Sequence, residues 1–260
     1  MQNTAAEGAK PPSFLSHLFS DRRIAPMLVL GFASGIPFQL VYITQSAWLY
    51  EAKVPIATIG LMSELTLAYK FKFVWAPFLD RYDAPVFSRL LGRRRGWIVV
   101  SQIAVMAALA GVALGDPGHW LAWTVAFSLA LGFAGATQDV VIDGWRINVA
   151  PVERQALMAS WSEVGYRFGV LAAGAGALLL ADRVGWRAAY LCMALLMTPG
   201  MIAAFFASPV TSSYSSKAMT SMASGSSRNF TMFGIRRIEP SLLSLILVLL
   251  IGPYAETNRS

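Results

Sequence analysis

The feature that most constrains this chain is a succession of apolar runs, each near 20 residues long, separated by short polar connections. At 1.5 Å per helical residue such a run matches a hydrocarbon core about 30 Å thick. Six occur, at about 24–48, 54–79, 97–115, 119–142, 156–181 and 186–208. The connections carry helix breakers: Lys53-Val54-Pro55, Gly115-Asp116-Pro117-Gly118 and Asp182-Arg183-Val184-Gly185. In lipid each backbone N–H and C=O must be satisfied within its own segment or a closed barrel. The runs lack the alternation of a barrel strand, so they predict an all-α membrane protein of six transmembrane helices. Composition agrees, because only 13% of residues are charged against about 25% in a soluble domain.

The net charge of +7 does not point to nucleic acid, because the basic residues sit in alternate connections. One set comprises Lys10, Arg22 and Arg23, then Arg81, Arg89 and Arg93 to Arg95, then Arg146 and Arg154, then Lys217, Arg228, Arg236 and Arg237. The other holds only Lys53, Arg183 and Arg187. The excess of Lys and Arg on one side predicts that both ends of the six-helix block are cytoplasmic. With one cysteine, Cys192, and two histidines, His17 and His119, no intrachain disulfide and no metal or haem site is expected, and no cofactor. The first apolar run is too long for the core of a cleavable signal peptide.

Three regions are expected. Residues 1–23 form a cytoplasmic segment in which Phe14, Leu15, Leu18 and Phe19 have the spacing of a short interfacial helix. Residues 24–208 form the six-helix domain. Residues 209–260 begin Ser- and Thr-rich, as a flexible linker does. They then carry an apolar stretch, 241–252, too short to span unaided. This tail reads either as a half-inserted or surface-lying segment or, the favoured reading, as poorly ordered non-homologous sequence appended by a frameshift or truncation.

Ionisable residues inside a membrane are costly, about 2.5–3.5 kcal/mol each at the bilayer centre by the lowest scale, and are functional candidates for that reason. The second segment carries Glu64, Lys70 and Lys72; the fourth Gln138, Asp139, Asp143 and Arg146; the fifth Glu163, Tyr166 and Arg167. Asp139 and Asp143 are four apart and share a helix face, with Arg146 three further on. Two carboxylates close together in a low dielectric oppose each other's charge, so this pair is a candidate proton carrier. Asp143 and Arg146 read equally well as headgroup-layer residues. Glu163 and Arg167 are four apart and can neutralise one another. Lys70 and Lys72 lie near the cytoplasmic end of their segment, where long side chains snorkel. Gly31/Gly35, Gly111/Gly115 and Gly165/Gly169 are small-xxx-small pairs that let helices approach, and Pro37 predicts a bend. A weak internal echo relates Ser63-Glu64 with Tyr69-Lys70-Phe71 to Ser162-Glu163 with Tyr166-Arg167-Phe168.

The connection after the second segment is the most specific motif. It reads Trp75-Ala76-Pro77-Phe78-Leu79-Asp80-Arg81-Tyr82, then Gly92-Arg93-Arg94-Arg95-Gly96-Trp97. It resembles the helix 2–3 signature of the major facilitator superfamily. Ala76 stands where that signature has glycine, and the spacer before Gly92 is longer. Both departures resemble the AmpG-type muropeptide permease branch, as do Ala136 to Arg146 and Gly165-Tyr166-Arg167. The resemblance covers roughly residues 20–208. It implies one six-helix half of a transporter, built as a three-plus-three inverted repeat, with Asp80, Arg81, Arg93, Arg94 and Arg95 at a cytoplasmic gate. It also implies Gln138, Asp139, Asp143, Arg146, Glu163, Tyr166, Arg167 and Glu64 as candidates for proton coupling or substrate binding.

By the same resemblance the cargo is an anhydromuropeptide, a glycopeptide fragment imported with protons through the bacterial inner membrane. Trp48, Trp145 and Trp161 are then candidate sugar-stacking rings, although interface anchoring is the favoured reading. The family has a second six-helix half, so a separately encoded C-terminal half is an implied partner. The competing readings are a non-transporting truncated paralogue and a transporter of another anionic solute. An enzyme is not expected, because no nucleophile–base pairing, metal cluster or phosphate loop stands out.

Overall fold

The computed structural model describes residues 24–64, 67–150 and 152–207, all within one compact unit spanning Met1–Thr211. The expected N-terminal helix and the Ser-rich tail lie outside the described residues. Five helices are long and apolar enough to cross a membrane: α1 (Ile24–Glu51), α6 (Arg93–Leu114), α7 (Leu121–Val149), α8 (Arg154–Val184) and α9 (Trp186–Phe206). Between α1 and α6 lie four short helices, α2 (Ile56–Ser63), α3 (Leu67–Phe71), α4 (Ala76–Arg81) and α5 (Ser88–Leu91).

The second expected span, 54–79, is therefore broken into pieces rather than continuous. Pro77 explains one break. It has no N–H to give the carbonyl four residues back, and its ring crowds that carbonyl. The chain answers with a 3-10 turn at Lys72–Val74 and restarts at Ala76, with proline in the first turn of α4. Glu64 ends α2 as an exposed C-cap residue. The other expected spans match, with α7 running seven residues past the predicted end at 142 and so taking Asp143 and Arg146 into the helix. Pro37 lies within α1, and a π turn at Leu40–Thr44 follows it. A second π turn, Ala172–Gly176, interrupts α8.

Packing is dominated by α1 against α8 and α6 against α7. The α1–α8 contact uses the glycines reciprocally. A Cβ on Gly31 or Gly35 would strike the backbone carbonyl of Ser162 or Tyr166, and one on Gly165 or Gly169 would strike that of Leu28 or Phe32. Gly111 serves differently, receiving the Phe127 ring of α7. Two apolar clusters fill the bundle. One joins Leu40, Val41 and Trp48 to Leu109, Val112, Tyr190 and Met193. The other, nearer the arginine-rich end, joins Met27 and Leu30 to Ile98, Ile142, Trp145 and Met158. Trp48, Trp145 and Trp161 are all buried, at 8%, 0% and 7% exposure, which leaves none of them a face for a sugar ring.

Candidate functional site

Asp139 lies midway along α7 and is met from two other elements. The Ser34 hydroxyl of α1 donates to its Oδ1, and the Lys72 ammonium stands 3.6 Å from Oδ2. One helical turn on, Asp143 pairs with Arg146 at 3.0 Å. A cavity of about 230 Å³ opens beside them, lined by Ser34, Asp139, Asp143, Arg146, Glu163 and Tyr166 among others. Glu163 accepts a 2.8 Å hydrogen bond from Arg167 within α8. Five of the sequence-predicted residues are thus brought to one cavity from α7 and α8, and Arg167 is tied to it through Glu163.

Three residues in this cluster were not expected there. Lys72 does not simply snorkel but is the cation beside Asp139. Ser34 is one of several hydroxyl residues in α1, with nothing local to set it apart. Tyr69 places its buried hydroxyl against Gly135, within electrostatic reach of Asp139. The echoed Tyr166 approaches Asp139 from α8, so the two tyrosines of the internal echo flank the same carboxylate.

Two expectations are not met in this way. Glu64 is exposed at the end of α2 and does not line the cavity. Gln138 is fully buried, with neither amide atom bonded to the protein, and is not among the cavity's lining residues. Among the described residues no His, Cys, Asp or Glu group is placed to hold a metal ion.

The residues expected at the gate gather around the C-terminal end of α7, just beyond the cavity. Arg94 Nη1 lies 2.5 Å from Asp80 Oδ1, and its guanidinium rests on Gly144, where a side chain would collide with it. Arg95 donates to the carbonyls of Leu91 and Ala207 at 2.8 and 3.1 Å, and Trp97 donates to that of Tyr82. Arg93 lines an open pocket with Arg94, Arg95 and Asp83, while Arg81 is exposed on α4. These bonds tie α4, α6 and the end of α9 together.

Long apolar helices around a charged internal cavity, with an ion-paired latch at one end, are the parts of a membrane transporter. The sequence profile of the Major Facilitator Superfamily matches residues 27–255, and the chain belongs to that superfamily. The anhydromuropeptide permease of Escherichia coli K12 is 41% identical over 191 residues, which are 73% of this chain and 38% of that protein. A putative transporter, AmpG 4, of Rickettsia felis is 30% identical over 190 residues, 72% of this chain and 46% of that protein. An uncharacterized protein of Haemophilus influenzae Rd is 33% identical over 194 residues, 75% of this chain and 44% of that protein. The resemblance to AmpG-type permeases therefore extends well beyond the gate motif, and such relatives are transporters, not enzymes. The chain spans less than half the length of these curated relatives.

Proposed function

We propose that this chain supplies the N-terminal six-helix body of a permease that imports anhydromuropeptides through the bacterial inner membrane, driven by protons. Supporting this are the 41% identity to a permease of that name and, above all, the cluster of Ser34, Lys72 and Asp139 at the charged cavity. In this reading residues 1–23 and the arginine-rich connections face the cytoplasm, residues 24–208 form the transmembrane body, and 209–260 are a Ser-rich linker with a short apolar segment.

Asp139 is the proton carrier. As a carboxylate it holds Lys72 and accepts the Ser34 hydroxyl; once protonated it releases the Lys72 charge. Lys72, Arg146 and Arg167 then present cations to the carboxylates of the glycopeptide, while Asp143 and Glu163 keep the arginines in place when the cavity is empty. The Asp80–Arg94 pair latches the cytoplasmic end. Alternating access in this superfamily rocks one six-helix body against another. A second body completes the cavity here, whether continuous with this chain or separately encoded.

The test is uptake of labelled anhydromuropeptide in cells deprived of their own permease. This chain is expressed there together with the C-terminal half of a relative. Uptake is expected, and Asp139→Asn abolishes it without lowering the amount of protein in the membrane. Uptake untouched by that substitution rules out the assigned proton carrier; no uptake of this cargo, from a correctly inserted pair, rules out the substrate.

A further inference from the structure

At the end of the bundle opposite the arginines, a cavity of about 560 Å³ opens between the C-terminal ends of α1 and α8 and the start of α9. Tyr50, Glu51, Lys53, Asp182 and Trp186 line it. None of these belongs to the charged cavity described above. Trp186 is held on two counts. Its ring stacks on buried Trp48, with centroids 5.9 Å apart and planes within 11°, and Trp48 in turn packs on Tyr190. Its indole N–H donates to Glu51 Oε2 at 2.8 Å. An indole fixed both from beneath and at its edge is a rigid plate whose orientation is set before any ligand arrives.

The turn that carries Lys53 is also specified. Val54 N–H bonds to Leu49 C=O and Lys53 N–H to Tyr50 C=O, the paired bonds of a Schellman C-cap. Leu49 and Val54 complete it by packing together. The left-handed position, usually glycine, is here Lys53 with φ 61°. A long cationic side chain is thus kept at the rim where glycine would serve the backbone better.

We propose that this pocket is a binding subsite for an N-acetylated sugar of a glycopeptide, separate from the charged cavity. Trp186 and exposed Tyr50 offer aromatic faces to the apolar C–H face of a pyranose ring. Glu51 and Asp182 accept hydrogen bonds from its hydroxyl and amide groups, and Lys53 meets an attached carboxylate. Aromatic walls with a few converging polar groups are the usual makeup of a small-molecule site. The choice of ligand class rests on the muropeptide reading. If the arginine-rich end is cytoplasmic, this pocket faces the side from which an imported fragment arrives.

The experiment uses the whole chain in lipid nanodiscs and N,N′-diacetylchitobiose as the probe, read by saturation-transfer NMR at millimolar concentration. Transfer to the ring protons is expected, with affinity falling about tenfold in Trp186→Ala and about threefold in Tyr50→Ala, while Trp186→Phe stays near the parent. If Trp186→Ala fails to fold, exposed Tyr50→Ala carries the test. No transfer to the parent chain, or transfer unchanged in folded variants at Trp186 and Tyr50, overturns the subsite. Uptake of muropeptide is measured separately on the same variants. Aromatic-dependent binding without uptake upholds the subsite and removes the transport reading. Uptake with binding indifferent to Trp186 and Tyr50 does the reverse.

Discussion

Two ion pairs of the helix bundle share the same charges and differ in their physics. Lys72–Asp139 joins two elements, with side-chain exposures of 35% and 16%, and shares Asp139 with a hydroxyl from a third element. Arg167–Glu163 lies along one turn of a single helix, with exposures of 78% and 58%. The first pair exists only if the bundle is folded, because its members are brought together from α7 and the 3-10 turn before α4. The second forms wherever α8 forms. The shielded pair can therefore report a proton to the fold, since losing one charge leaves the other stranded in low dielectric. The exposed pair acts as a local tether.

The sharpest way to break this contrast is to move α1, which carries Ser34, without touching either pair. Gly35→Val puts a branched side chain where even a Cβ would strike the Tyr166 carbonyl of α8. Overpacking of that kind costs about 3 kcal/mol, expected as a lower midpoint of thermal unfolding in detergent. Ser34 should draw away from Asp139 while Arg167–Glu163 persists within its helix. An unchanged midpoint would mean that α1 and α8 do not approach through their glycines.

The contrast is measured directly by two double-mutant cycles. Lys72→Met alone is expected to destabilise the chain by about 2 kcal/mol, and adding Asp139→Leu should restore part of that loss, because a partly shielded charge is worse alone than absent. Arg167→Met with Glu163→Gln should show a coupling of about 0.5 kcal/mol or less. Equal coupling energies in the two cycles would be enough to dismiss the distinction.

The sequence made these two pairs unequally legible, for a physical reason. Glu163–Arg167 and Asp143–Arg146 follow from helical periodicity, which any local reading captures. Ser34 and Asp139 are 105 residues apart, and nothing near Ser34 distinguishes it from other small residues of an apolar helix. Lys72 was visible as a charge in a span, but its place near the end of its segment suggested snorkelling. Only the break caused by Pro77 and the packing of α3 on α7 aim it at Asp139. The same holds for the spans. Five were readable from length and apolarity, whereas breaking the second depends on one proline and a cluster of charges that hydropathy averages away. Trp186 carries no local signal either, because Trp48, on which its ring stacks, lies in α1 at a distance in sequence that no period reveals.

A third pair is as exposed as Arg167–Glu163 but lies outside the membrane-spanning helices. In the connection between α6 and α7, Asp116 Oδ2 lies 2.9 Å from His119 Nδ1, with exposures of 59% and 83%. Asp116 Oδ1 also accepts the Gly118 N–H at 3.0 Å. The His119 hydrogen bond, aided by that of Gly118, holds the Asp116 carboxyl below the usual carboxylate range. A carboxyl with a lowered folded-state pKa contributes stability above its unfolded value and loses it as pH falls through the folded one. Asp116→Asn keeps an acceptor for Gly118 and removes the charge. The parent should therefore unfold at a slightly higher temperature than Asp116→Asn at neutral pH, and the difference should be lost as pH falls below the ordinary carboxylate range and through the lowered folded-state value. It should remain far smaller than the effect at Lys72–Asp139, since solvent screens a pair this exposed. A difference that persists into acid would place its origin in packing rather than charge, and the contrast between shielded and exposed pairs would fail here.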